Sequence, residues 1–385
     1  MSSSGTAPRD DESRLLELDA FRAIAILAVM AHHFLNRYAP PRHFPSLYGY
    51  RDLYPQWLDL GALGVQFFFI ISGFVIFMTL ERCDHLLEFW GRRIARLYPA
   101  YFVATFVTFV IVNSVGPEEF HSHLVNVLVG LTFLPGYIDV SFVEPAYWSL
   151  VVELKFYLGL GHIYALTRGH FVAGGVAYCA TGTVLSLLGS IPGWHILATL
   201  AHHVFLSEYA AYFTLGMAFY QVFSGWRRGW WIFALTALVE YALAGPVTTL
   251  AEHLTAAAMV LAFVGFVSGR LKFLAVRPLV FLGGISYSLY LLHQYIGVSL
   301  IPFFTRGLGL PDIAAACCVA AVCMALAYLL MRGVEVPAKR ALLRWMRQHL
   351  FPSLPRRLPA LSFVKNGPKR FDAEPERVAA QAGAA

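Results

Sequence analysis

The stretch LDAFRAIAILAVMAHHF, residues 18–34, decides the reading of this chain: it is apolar enough to cross a bilayer, yet it carries Asp19, Arg22, His32 and His33. Ionisable side chains are costly in hydrocarbon, so those that do occur there are candidates for function. At 3.6 residues per turn the step from Arg22 to His33 closes about three turns with a rise of roughly 16 Å, and both side chains leave one face. Asp19 sits one turn before Arg22 on nearly the same face, and His32 points about a quarter-turn away. One polar stripe therefore runs along this helix, with a cation low down and an imidazole high up.

The rest of the chain is consistent with a lipid solvent. Of its 385 residues 58% are hydrophobic and 15% aromatic, and the mean hydropathy of +0.60 lies well above that of an ordinary soluble protein. The apolar runs approach the length of a bilayer-crossing helix and lack the alternating short segments of a barrel. The fold class expected is an all-α polytopic membrane protein of about ten transmembrane helices. Their approximate cores are 18–36, 60–80, 93–113, 147–167, 171–190, 200–223, 230–248, 251–269, 279–301 and 313–334. The segment 119–134 is apolar but too short and broken to span, and reads as an interfacial or re-entrant helix in an outer loop.

Positive charge sets the orientation, because short loops rich in Lys and Arg stay on the cytoplasmic side. With the N-terminus inside, only Arg37, Arg42, Arg51 and Arg306 of the 29 Lys and Arg residues fall outside, and Arg22 and Lys155 fall within spans. Both termini are then cytoplasmic, and the expected location is the plasma (inner) membrane, multi-pass. Residues 1–14 read as a disordered lead, 15–336 as the transmembrane domain and 337–385 as a basic tail whose last residues are frayed. That tail, with Lys339, Arg340, Arg344, Arg347, Arg356 and Arg357, accounts for much of the net charge of +6 and suits anionic lipid rather than nucleic acid. Neither end reads as a cleaved signal peptide.

Several function classes drop out. The five cysteines, Cys83, Cys179, Cys317, Cys318 and Cys323, show no paired metal-ligand spacing, so neither structural zinc nor disulfides are expected. There is no internal repeat, phosphate-binding loop or dinucleotide fingerprint. No metal and no permanently bound cofactor is expected.

Depth sorts the remaining polar residues into two groups. Near the cytoplasmic side the stretch FWGRRIARLYPAY, residues 89–101, gathers Arg92, Arg93 and Arg96 on about one helical turn, close to the depth of Arg22. Several guanidiniums at one boundary can bind phosphate groups bidentately, with Trp90 or Tyr98 free to stack on a base. The structural alternative is that positive-inside loops collect arginine anyway. In the outer half lie His33, Glu153 and His293. In YWSLVVELKFYL, residues 147–158, i, i+4 spacing aligns Ser149, Glu153 and Tyr157 on one face, while Lys155 projects from the opposite side without an evident partner. Glu153 could equally pair with an arginine to lock helices together. In GGISYSLYLLHQYIG, residues 283–297, His293 forms a polar line with Ser286 and Tyr290, although a buried histidine bonded to a carbonyl would look the same. The second span, GALGVQFFFIISGFVIF at 61–77, offers Gln66 and Ser72 as polar groups and Gly61, Gly64 and Gly73 for close helix packing. His202, His203, His121 and His123 are weaker candidates.

Taken together, these segments resemble the acyltransferase 3 family of integral membrane acyltransferases, from about Leu18 to Glu335. In that family the first span carries an arginine and a histidine separated by ten residues, which fall on Arg22 and His33. The family's second span matches Phe67 to Phe74, and its arginine-rich boundary matches Arg92, Arg93, Arg96, Tyr98 and Pro99. Its fourth-span string matches Trp148 to Tyr157, and a later element matches Ser286 to His293. Where many members have a Glu-Gln pair after the glutamate, this chain has Leu154 and Lys155. Some relatives also carry an appended extracytoplasmic hydrolase-like domain in place of a short basic tail, so a second transfer step here would need a separate extracytoplasmic transferase partner.

The resemblance implies an enzyme that moves an acyl group, usually acetyl, from acyl-CoA on the cytoplasmic side to a hydroxyl of a carbohydrate or glycosylated acceptor such as exopolysaccharide or lipopolysaccharide. Acyl-CoA is thus a donor substrate. The charge map suits this: the CoA nucleotide would dock at Arg92, Arg93 and Arg96 while its neutral pantetheine arm threads between helices. A neutral His33 would take the acceptor hydroxyl's proton or carry the acyl group itself. Glu153 would orient an imidazole or raise its basicity, as carboxylates do in other acyl-transfer sites. Arg22 would touch the CoA pyrophosphate or fix the lower end of the channel, with Asp19 as counter-charge. His293, Ser149 and Tyr157 would bind acceptor or oxyanion. The competing class is a secondary transporter for a sugar-like or anionic solute, which would be expected to show inverted repeats that this sequence lacks.

Overall fold

The computed structural model describes residues 15–37, 56–135, 138, 140–167, 171–205, 208–225, 230–244, 248–358 and 361–363. The described residues are mainly helical, and among them only two isolated β-bridges, and no strands, occur. In order the helices are α1 Leu16–His32, α2 Gly64–Arg82, α3 Leu86–Val115, α4 Leu124–Gly130, α5 Trp148–Leu166, α6 Phe171–Gly189, α7 His195–Val204 and α8 Ala210–Phe223. They continue as α9 Trp230–Ala244, α10 Leu250–Val267, α11 Arg277–Leu292, α12 Gln294–Pro302, α13 Asp312–Leu330, α14 Val336–His349 and α15 Leu354–Arg357.

Among the described residues six segments are long and apolar enough to span alone: Leu16–Asn36, Trp57–Arg82, Leu86–Val115, Pro145–Leu166, Leu250–Val267 and Asp312–Ser353. The pair α11 and α12 makes a seventh, bent by 75°. Three of the ten expected crossings are the difference. The one at 200–223 is two helices, α7 and α8, separated at Phe205, and the one at 230–248 is the 15-residue α9. The one at 171–190 corresponds to the 19-residue α6. Ten crossings are therefore not established among the described residues. The expected outer-loop helix reduces to a turn at Glu118–Phe120 and the seven-residue α4. The start of the expected basic tail is helical: α14 follows α13 through a π turn at Met331–Glu335. Met346 and Phe351 pack beside Gly91 on α3. Residues 1–14, Arg42 and Arg51, the side chains of Cys179, His203 and Arg356, and residues 364–385 lie outside the described residues.

Side-chain contacts fix the directions of the helices. Gly283 faces Asp19 and His293 faces His33, so α11 runs parallel to α1. Gly64 faces Ala25 and Phe67 meets Phe21, so α2 runs antiparallel to it. Trp148 meets Phe69 while Glu153 meets Ser72, placing α5 parallel to α2. Phe77 meets Tyr220 as Phe69 meets Phe213, which does the same for α8. The bundle consequently has an arginine end, with Arg22 and the start of α3, and a histidine end, with His33 and the starts of α2 and α5.

Lipid tails are as apolar as leucine, so helix association rests on close packing through small residues. A Cβ at Gly283 would lie 1.9 Å from the Asp19 carbonyl oxygen, and one at Gly73 2.2 Å from that of Phe213. Those contacts leave no room for a side chain. Between them an aromatic core joins α1, α2 and α10, with Phe21 5.2 Å from Phe67 and 5.4 Å from Phe263, and Phe74 5.6 Å from Phe266 between ring centroids.

Candidate active site

Arg22, Arg93 and Arg96 line one end of a cavity between α1, α2, α3, α5 and α11. Asp19 Oδ1 lies 2.9 Å from Arg22 Nη1 and supplies its counter-charge. Arg93 donates to Thr79 Oγ1, and its guanidinium lies 5.7 Å from the Phe89 ring centroid and 5.6 Å from that of Tyr157. Such cation–π contact helps hold a guanidinium where hydration is poor. Arg96 interacts electrostatically with Glu335 and Glu153. Arg92 is separate. Adjacent helical residues project about 100° apart, and Arg92 turns back to Glu88 Oε1, at 2.6 Å from Nη2 and 3.1 Å from Nε, outside the cavity lining.

Glu153 sits midway. Its Oε1 accepts from Ser72 Oγ at 2.8 Å and from the Tyr157 hydroxyl one turn along α5, with Arg22 and Arg96 close enough to interact electrostatically. The i, i+4 alignment of Glu153 and Tyr157 is thus realised as a hydrogen bond. The expected carboxylate–imidazole contact does not form: among the described residues the hydrogen bonds of Glu153 go to Ser72 and Tyr157, not to His33 or His293. Lys155, on the far side of α5, donates from Nζ to the His202 carbonyl at 3.0 Å.

Toward the histidine end the lining finishes at Ser149, Ser286 and Tyr290. The Ser149 and Tyr290 hydroxyls are 2.7 Å apart and both reach the Ala146 carbonyl. Ser286 is bonded within its own helix, to the Gly283 carbonyl. One turn beyond Tyr290, His293 Nε2 lies 2.9 Å from His33 Nδ1, with the ring centroids 5.1 Å apart and the planes 22° from parallel. Both imidazoles are buried. Neither lines the cavity, whose Tyr290 has its ring centroid 5.5 Å from that of His293. His32, a quarter-turn away as the helix geometry requires, turns its Nδ1 toward Asp59 Oδ1 at 3.5 Å.

His293 stands at the break between α11 and α12. Interrupting a helix orphans carbonyls on one side and amides on the other, and burial requires partners for them. The His293 ring donates from Nδ1 to the Tyr290 carbonyl at 2.9 Å, and the Tyr147 hydroxyl donates to the Leu291 carbonyl at 3.1 Å. On the other side Glu144 Oε2 accepts from the Tyr295 amide at 2.9 Å. Glu144 precedes the span beginning at Pro145 and is fully buried. Burial pushes its carboxyl up to about 8, against the pull of the Tyr295 and Ala146 amides.

Glu144 and Glu335 escaped the sequence reading. Each is an isolated acid beside a proline-containing turn, with no periodicity to mark it, and their roles depend on contacts distant in sequence. Ser288 Oγ donates to Glu335 Oε2 at 2.7 Å. Only the Glu144-Pro145 dipeptide ahead of an apolar run carried a signal, that of a helix start.

A family model described as an acyltransferase domain matches residues 15–332. The chain is similar to O-acetyltransferase OatA of Staphylococcus aureus, at 26% identity over 348 residues that cover 71% of this chain and 54% of that protein. It therefore spans about half the length of those relatives. It is also similar to acyltransferase MdmB of Streptomyces mycarofaciens, at 29% identity over 163 residues and 40% of each chain. No solved structure matches.

Proposed function

The chain belongs to the acyltransferase 3 family, and on that premise we propose that it transfers an acyl group, acetyl as the first choice, from acyl-CoA to a hydroxyl of a carbohydrate or glycosylated acceptor. The observation that carries this reading is the cavity itself, with three guanidiniums at one end and a hydroxyl pair at the other, one helical turn from two buried imidazoles. Phosphates suit the arginine end, where Arg93 and Arg96 can offer forked donors and Arg22 completes the cluster. The neutral pantetheine arm suits the apolar wall of Phe68, Phe69, Val65 and Leu150. In this reading the arginine end and both termini face the cytoplasm, an orientation the positive-inside pattern supports, and the membrane is the plasma membrane.

In the proposed step His33 acts on the acceptor hydroxyl. The hydroxyl oxygen forms a bond to the thioester carbonyl carbon, its proton passes to a neutral His33 nitrogen, the carbon–sulfur bond breaks, and the proton leaves on the CoA thiol. The acyl carbon reaches His33 when the Tyr290–Ser149 hydroxyl pair parts. Ser149 then serves the acceptor or the oxyanion. Glu153, bound to Ser72 and Tyr157, balances Arg22 and Arg96 in this account rather than orienting an imidazole. The name of the OatA relatives supports acetyl as the group and oxygen as the acceptor atom. An extracytoplasmic partner would complete any further transfer.

The test supplies radiolabelled acetyl-CoA to inverted membrane vesicles. Covalent label on glycan is the expected result. Uptake of label without a covalent product would contradict the proposal and favour a transporter.

A further inference from the structure

We propose that His293 is a positioning residue that holds His33 in one tautomer, with the proton on Nδ1 and the lone pair on Nε2. This rests on the reading of His33 as the base, and adds how that base is prepared. A carbonyl oxygen only accepts, so the 2.9 Å contact between His293 Nδ1 and the Tyr290 carbonyl places a proton on that nitrogen. In a neutral ring the other nitrogen is then an acceptor. His293 Nε2 faces His33 Nδ1 at 2.9 Å, so His33 donates from Nδ1. In the neutral His33 ring the lone pair is then on Nε2.

The direction of the relay is set by a backbone carbonyl, and that carbonyl is available because the helix breaks at His293. Leu292 closes α11 and Gln294 opens α12, so the Tyr290 oxygen belongs to the orphaned last turn. A straight helix would have spent it on the amide of residue 294. Glu144 on the Tyr295 amide and Tyr147 on the Leu291 carbonyl hold the break open. Cys323 and Gly297 pack behind it, with no titratable partner for the ring among those contacts. When His33 takes a proton on Nε2, its Nδ1–H remains on the neutral His293 nitrogen, and the new charge meets an oriented acceptor instead of hydrocarbon. This is the function an orienting group serves for a catalytic imidazole in general.

The decisive readout is the tautomer itself, by nitrogen NMR of the full-length protein with isotope-labelled histidine, the His33 signals identified by their loss in His33→Gln. In the wild type Nδ1 of His33 should carry the proton. His293→Gln, whose amide oxygen can still accept, should keep that tautomer, and His293→Leu should release it to a mixture. Thiol release from acetyl-CoA should follow: kcat falls about 10²-fold in His293→Leu with KM for acetyl-CoA unchanged, and His293→Gln recovers most of it. Wild-type His33 protonated on Nε2, or an unaltered tautomer in both variants, would overturn the inference. If the wild type turned over no acetyl-CoA, the reading of function would fail while the tautomer would still decide this one.

Discussion

His33 and His293 are 260 positions apart in the chain, and their ring nitrogens meet at 2.9 Å. That contact joins the first span to a helix broken at the second histidine. It also separates two jobs that cluster in one family pattern: Arg22, Arg93 and Arg96 line a cavity, and the imidazoles meet each other outside that lining, with His293 against Tyr290.

The four arginines assigned to the donor should therefore not behave alike. Arg96 lines the cavity and Arg92 is held by Glu88 outside it. Losing a charge-assisted hydrogen bond worth about 1.5–3 kcal/mol should raise KM for acetyl-CoA roughly tenfold or more in Arg96→Gln. Arg92→Gln should leave it within about twofold. Steady-state kinetics on the purified protein decide this, and equal effects would remove the distinction between the two residues.

Gly283 is where α1 and α11 touch, and a methyl group there would overlap the Asp19 carbonyl. Gly283→Ala should destabilise the fold by about 1–3 kcal/mol through overpacking. It should also lower activity, because Asp19 and Arg22 are displaced together. Thermal unfolding in detergent reads the first effect and thiol release the second. An unchanged unfolding midpoint would show that the helices separate freely.

Much of this arrangement was legible in the sequence. The stripe of Asp19, Arg22 and His33, the line of Ser149, Glu153 and Tyr157, and the depth of His293 all follow from helical spacing once the spans are drawn. What stayed hidden depends on events that spacing does not encode. Nothing in LLHQYIG marks a break, since it contains neither proline at the bend nor a cap residue of the usual kind. Glu144 looks like any loop acid until the Tyr295 amide is brought to it. Arg92 and Arg93 look equivalent until one finds Glu88 and the other Thr79. The division of the apolar run at 200–223 into α7 and α8 was hidden in the same way, because both sides of the interruption are apolar.

Glu144 gives the account a pH signature. Its carboxyl is raised in the folded state to about 8 from an ordinary 4.5, so between those values the folded protein holds a proton that the unfolded chain has released. Stability from this group is fully present below the lower value and is lost as pH rises through the upper one. Glu144→Gln should flatten that slope while preserving an acceptor for Tyr295. Unfolding midpoints at several pH values across the window read the effect, and identical slopes in variant and wild type would contradict it.

The most direct measurement is thiol release from acetyl-CoA by His33→Ala, purified beside the wild type and shown by size-exclusion chromatography and thermal unfolding to be inserted and folded. The account predicts a loss of at least about 10²-fold with donor binding retained through Arg22, Arg93 and Arg96. Turnover at the wild-type rate in that folded variant would contradict it.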